Sequence, residues 1–271
     1  MSSTIEHKML SVRGTEIAVA LQGSEGAPAV LLSHSILAAG MMWDAQAALL
    51  AAQGWRVINM DTRGHGASKA SPAPYTMDGL ADDAVAVLDA LGVAKAHFVG
   101  LSLGGMIGFG LGVRHASRLL SLCLCDARAD APAAFAAPWD ERITAAQSGG
   151  AAVLAQSTVE RWFGKAFVDA NPAVAERFRA TISATPLDGF VGCARALQGL
   201  DYLKDVAGIN APTTLIVGAN DGPLPGAMEE IRGRIAGARL DVIPDAGHLP
   251  NIDQPAAFNA ALLAHFLRAG R

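Results

Sequence analysis

Ser102 stands in Gly100-Leu-Ser-Leu-Gly104, between the apolar run His97–Leu101 and the helical pattern Leu103–His115. A serine on a sharp strand-to-helix turn can serve as a nucleophile. The turn strains the backbone so that the hydroxyl projects above the end of the strand. Side chains two residues to either side would collide there, so glycine fills both places. The helix that follows aims its first N–H groups and the positive end of its dipole at an oxyanion formed beside the serine.

Such a serine needs a base, and the base needs an orienting acid. Among the seven histidines, His248 lies in Asp245-Ala-Gly-His-Leu-Pro-Asn251, a loop between the last strand and the final helix. His97 opens a strand, and His115 and His265 end or lie within helices, which are structural placements. The expected acid is Asp221 in Gly218-Ala-Asn-Asp-Gly222, just past the strand beginning at Thr213; Asp126, at the end of Leu119–Cys125, is the rival. Two backbone N–H groups complete an oxyanion hole: that of Leu103, and one from the loop His34-Ser35-Ile36, assigned to Ile36. The glycine-rich loop Asp61-Thr-Arg-Gly-His-Gly-Ala-Ser68 reads as a brace beneath the site rather than a source of catalytic groups.

These residues need a scaffold that brings strand ends together. Ser11–Leu21 alternates around Gly14 and reads as a hairpin. Ala29–Ser33, Arg56–Met60, His97–Leu101, Leu119–Cys125, Thr213–Gly218 and Leu240–Ile243 are short apolar runs of the kind that buried parallel strands show. Helical patterns at Met42–Ala52, Met77–Leu91, Leu103–His115, Ala227–Ala236 and Pro255–Arg268 separate them. The alternation predicts an α/β fold, a mostly parallel twisted sheet with helices on both faces. From about Ala127 to Leu203 the rhythm stops, leaving only Ala-rich helical pieces punctuated by Pro132, Pro138, Pro172 and Pro186. The expected organisation is a core of residues 1–126 and 204–271 with a helical cap insertion over 127–203. Placed above the carboxyl edge of the sheet, that cap should roof an apolar cavity, with Met42, Trp43, Trp139 and Trp162 as its expected lining.

Composition narrows the function. With 271 residues, 51% of them hydrophobic, the chain can bury a large core without covalent staples. A net charge of −4 with no basic run argues against a nucleic-acid surface. The three cysteines, Cys123, Cys125 and Cys193, read as reduced thiols. No uncharged apolar stretch reaches the ~18 residues of a membrane span, and Met1–Leu10 has no signal-peptide core, so a cytoplasmic setting is expected. No residues show metal-ligand spacing, and neither a metal nor an organic cofactor is expected.

Taken together, these residues resemble the α/β-hydrolase superfamily along essentially the whole chain, including its Ser…Asp…His order. Within it, Leu32-Ser-His-Ser-Ile36, Met42-Trp-Asp-Ala-Gln46, the Asp61–Ser68 loop, Gly100-Leu-Ser-Leu-Gly-Gly-Met106, Glu160-Arg-Trp-Phe163, Gly192-Cys193 and Ala246-Gly-His-Leu-Pro-Asn-Ile-Asp-Gln-Pro255 resemble the 3-oxoadipate enol-lactonase and esterase group. The sequence departs from that group twice. His34 and Leu37 stand where the enol-lactonases carry Asn and Gly, and Gln198-Gly199 stands where an Arg-Asp pair is usual. The resemblance implies a cofactor-free serine hydrolase that cleaves a small carboxylic ester or lactone through an acyl-enzyme. The alternatives on the same residues are C–C bond hydrolysis and perhydrolase or haloperoxidase-type activity, and more remotely a non-catalytic small-molecule receptor. With no cation visibly aimed inward among Arg128, Arg142 and Arg195, the sequence predicts that small neutral or monoanionic esters and lactones are turned over better than dicarboxylates of the same size.

Overall fold

The computed structural model describes residues 5–270. Among them, β1 (Glu6–Val12), β2 (Thr15–Gln22), β3 (Ala29–Ser33), β4 (Arg56–Met60), β5 (Ala96–Leu101), β6 (Leu119–Cys125), β7 (Thr213–Gly218) and β8 (Arg239–Ile243) form one eight-stranded sheet. Its spatial order is β1-β2-β4-β3-β5-β6-β7-β8. β1 pairs antiparallel with β2 and β2 with β4; every pairing from β4 to β8 is parallel.

β3, β4, β5 and β7 are buried at every residue, and β6 at all but Leu120, which is why their sequences are mostly apolar. The hairpin is longer than the alternation around Gly14 predicts. Its outer strand begins at Glu6 and carries Glu6, His7 and Lys8 on a solvated edge, where no apolar signal exists to be read. The turn between its strands places Arg13 and Gly14 at φ 44° and 74°, the twist a two-residue hairpin requires.

Helices Asp44–Ala52, Met77–Ala90, Leu103–Arg114, Leu224–Arg234 and Pro255–Ala269 flank the sheet. Thr76 caps the second of these, its hydroxyl accepting the Gly79 N–H at 3.0 Å. Met42 falls in a 3₁₀ turn, Gly40–Trp43, ahead of the first. The fourth begins earlier than its apolar pattern implies, because Pro225 fits the first turn, where no N–H is needed.

Between β6 and β7 the described chain forms helices and no strand of the sheet. Pro132 and Pro186 precede helices, and Pro138 and Pro172 open them, so the prolines that punctuate this stretch mark helix starts. A bridge between Asp130 and Asp201 joins the two ends of the segment. Trp162 and Phe178 pack edge to face inside it, with ring centroids 5.8 Å apart, so the helices bury aromatic surface of their own. Among the described residues, no helix is long and apolar enough to cross a membrane.

Candidate active site

β5 ends at Leu101, and Ser102 takes φ 55° and ψ −114° before the helix Leu103–Arg114 begins. A left-handed serine is strained, and its neighbours hold it. The Ser102 N–H donates to the Cys125 carbonyl at 2.8 Å, and its carbonyl accepts from Met106 N–H at 2.8 Å. A Cβ on Gly100 would lie 2.3 Å from the Gly104 carbonyl oxygen, and one on Gly104 would lie 2.2 Å from that of Ser33. Both glycines are therefore imposed by backbone contact.

The loop after β3 lies against this turn, with Gly104 N–H donating to the His34 carbonyl at 3.0 Å. His34 is wholly buried, and both ring nitrogens are engaged. Nδ1 lies 2.8 Å from the Ser35 carbonyl, and Nε2 accepts the Thr62 N–H at 2.8 Å. That pattern assigns the proton to Nδ1 and keeps the imidazole neutral; burial, against the Ser35 contact, lowers its pKa to about 4. His34 thus ties the loop carrying Ile36 to the Asp61–Ser68 loop. Leu37 adopts φ 65°, a conformation that favours glycine, and this explains why glycine suits that position.

The Asp61–Ser68 loop braces from below. Arg63 donates to both oxygens of buried Asp83 at 2.7 Å, and Asp61 accepts the Gly40 and Ala67 N–H groups. His65 packs against His34 with ring centroids 5.4 Å apart, and burial followed by the neighbouring imidazole lowers its pKa to about 3.

On the other side, His248 Nδ1 and Asp221 Oδ2 lie 2.7 Å apart. Burial pushes the Asp221 carboxyl up. The His248 charge and the hydrogen bond from His248 outweigh it and hold the pKa below the usual range. The His248 N–H donates to the Trp162 carbonyl at 2.8 Å, and Gly247 N–H donates to Asp253 Oδ2 at 2.7 Å. A roof helix, Ala155–Phe163, therefore anchors the histidine loop by its C-terminal end.

Asp126, the rival acid, is fully buried at φ 45°, with Oδ1 accepting the Gly218 N–H at 2.8 Å. The carboxylate paired with His248 is that of Asp221. Asp126, Asp221 and His248 are the one set among the described residues with three potential metal donors, all within 4.8 Å of one another. The short His248–Asp221 contact already satisfies two of those donors, and a cation between them would have to part them.

Ser102, Asp221 and His248 line one cavity of about 260 Å³. Ile36, Met106, Phe135, Trp139, Leu197 and Leu224 supply apolar wall. Met42, Trp43 and Trp162 lie outside that wall. Trp43 is fully buried, its Nε1–H donating to the Ser33 carbonyl at 3.1 Å, while Met42 Sδ accepts the Ser35 N–H at 3.4 Å. Both support the loop carrying Ile36 from behind, whereas Trp162 packs inside the roof.

Two arginines stand in the wall: Arg128, which the sequence offered without aiming it inward, and Arg161, which the sequence reading did not single out. Arg128 is neutralised by Asp130, to which Nη2 donates at 2.9 Å. Arg161 makes no hydrogen bond or ion pair among the described residues. It keeps an exposed surface, yet enough protein surrounds the guanidinium that desolvation, against the pull of Asp221, lowers its pKa. Arg142 sits over the Trp139 ring at 5.1 Å, its pKa lowered to about 10 by burial and by Arg161. Arg195 is bound to Asp140 at 2.6 Å. The expectation that no cation faces inward is corrected by Arg161, whose direction no local pattern could reveal.

Comparison with known proteins agrees with this architecture. The signature of the alpha/beta hydrolase fold matches residues 28–255. The chain is 35% identical to 3-oxoadipate enol-lactonase 1 of Acinetobacter baylyi, over 94% of this chain and 95% of that one. It superimposes with a TM-score of 0.91 on a hydrolase from Pseudomonas aeruginosa, at 38% identity, covering 96% of this chain and 98% of the other. The enol-lactonase from Burkholderia xenovorans gives the same TM-score at 32% identity, covering 96% and 100%. An eight-stranded, mostly parallel sheet with a serine turn at its centre, matched by that signature over most of its length, makes this chain a member of the alpha/beta hydrolase family.

Proposed function

We propose that the protein is a serine hydrolase that opens a small lactone or ester bearing a carboxylate. The observation that carries the reaction type is the shared cavity of Ser102 and the His248–Asp221 pair. With Nδ1 turned to Asp221, His248 Nε2 is the nitrogen that accepts the Ser102 proton as the hydroxyl oxygen attacks the carbonyl. The N–H groups of Leu103, at the helix start, and Ile36, in the cavity wall, donate to the oxyanion. Collapse returns the proton to the leaving oxygen, and water, deprotonated by His248, releases the acid from Ser102. Residues 127–203 act as the lid that keeps this chemistry out of bulk water.

Arg161 supports the substrate class. Of the two arginines in the wall, it is the one without a carboxylate partner, and Arg142 adds a second charge beside it. Both remain protonated at working pH. A substrate carboxylate would relieve their repulsion and supply the missing partner, as in the enol-lactones named for the relatives above. Arg161 would also serve where Gln198 replaces the usual arginine. A panel of p-nitrophenyl esters, neutral lactones and carboxylated lactones tests the reading. The expected result is turnover of the carboxylated lactone with the highest kcat/KM; a tenfold preference for neutral lactones would overturn it.

A further inference from the structure

Asp126 Oδ2 is fully buried and has no hydrogen-bond partner within reach of ordinary donors, although Oδ1 is satisfied by the Gly218 N–H. The groups facing it are the Asp221 carboxylate from the loop after β7, His248 from the loop after β8, Asp253 from the helix Pro250–Asp253, and Cys125 on its own strand. Arg161 acts on this group through Asp221. Two adjacent carboxylates cannot both stay charged without water or a cation. Asp221 has the imidazole as a partner, so the proton belongs on Asp126.

We propose that Asp126 is a positioning residue: a neutral carboxylic acid whose Oδ2–H donates to Asp221 and holds that carboxylate against His248. The role assigned to His248 rests on the proposed hydrolase reading, while the protonation of Asp126 does not. Burial, and then the Asp221 charge, push the Asp126 carboxyl well above its ordinary pKa. A hydrogen bond donated by Asp126 would in turn help keep Asp221 ionised. The orphaned oxygen thus becomes a donor, and the left-handed backbone at Asp126 directs a short acid at the loop after β7. An acid shared between two strand ends leaves His248 one fixed partner.

The first measurement needs no activity. Infrared difference spectra of the full-length protein at about pH 8, where ordinary carboxyls are ionised, should show a protonated carboxyl band that is lost in Asp126→Asn. Absence of that band in the wild-type protein would overturn the proposal, even if the variants fail to fold. The second is kinetic. Asp126→Ala should lower kcat by about 10–100-fold, the worth of a hydrogen bond to a charged group, and Asp126→Asn should restore most of it, because its amide N–H can donate to Asp221. Since Asn and a neutral acid carry the same charge, the acid limb of kcat/KM should coincide in wild type and Asp126→Asn. If Asp126 were ionised, removing its charge would move that limb about 1–3 pH units lower, and this result would overturn the proposal. An Asp126→Asn enzyme as inactive as Asp126→Ala would also overturn the positioning role, whereas a wild-type protein that shows the infrared band but hydrolyses no ester or lactone would count against the hydrolase reading alone.

Discussion

The floor of the cavity and its roof are built on different terms. In the floor, close contact with neighbouring backbone dictates residue identity: Ser102 is left-handed, and Gly100 and Gly104 lie where a Cβ would strike carbonyl oxygens at 2.3 and 2.2 Å. In the roof, helices pack through aromatic side chains, and Arg161 lines the cavity because the helix Ala155–Phe163 ends against the histidine loop. On the proposed reading the floor tolerates little change and would carry the reaction type, whereas the roof would carry selectivity.

Breaking the floor should have the largest effect. Ser102→Ala should lower kcat by ~10⁴–10⁶ with the fold retained, as removal of a nucleophile does. Circular dichroism together with turnover checks both parts, and more than a tenth of wild-type activity would sink the mechanism. Asp221→Asn should follow at ~10⁴ in kcat through loss of the histidine's orientation, well beyond the effect of Asp126→Asn measured alongside.

The roof should give a smaller and selective effect. Arg161→Leu should raise KM for a carboxylated lactone by about 10–100-fold, the worth of charge-assisted hydrogen bonds, with a neutral p-nitrophenyl ester nearly unaffected. Equal losses on both substrates would make Arg161 a structural group. Trp139→Ala should change relative kcat/KM among acyl groups a few-fold, roughly the 1–3 kcal/mol of an apolar contact at most. A uniform loss across the acyl series would remove the indole from the selectivity argument.

Stability against pH offers the finest comparison, because buried histidines lie both in the loops under the site and against the sheet. Burial lowers the pKa of His34 and His97 to about 4 and of His65 and His265 to about 3. An imidazole whose pKa is lower in the folded state binds its proton preferentially in the unfolded chain. Stability should therefore be full above the ordinary value of ~6.5 and fall as pH drops below it, by at most about 1.4 kcal/mol per pH unit for each group. Thermal melts between about pH 7 and 4 should show a falling Tm, and His34→Asn should flatten the slope. A Tm that rises over that range would contradict the burial of neutral imidazoles.

The same division explains what could be read before any coordinates. The central parallel strands were legible because burial on both faces leaves a mostly apolar run, and the serine turn because steric exclusion demands glycine at two fixed places. Asp221 and His248 were legible as loop residues after successive strands. The outer strand from Glu6 was not, since its solvated edge carries no pattern. The apolar-cavity expectation failed at Arg161 because helix periodicity reports which face is buried against neighbours and says nothing of a charge that is surrounded by protein yet open to a cavity.

Sequence by itself determined the fold class and the candidate Ser102, Asp221 and His248, for each depends on local backbone geometry or strand order. Tertiary structure alone decided that Asp221 rather than Asp126 meets His248, at 2.7 Å, since both acids follow strands and only the sheet order and loop paths set their distances. It alone brought Arg161 to the cavity wall and sent Trp43 and Trp162 behind it. Contacts between segments far apart in the chain leave no periodic trace in either one.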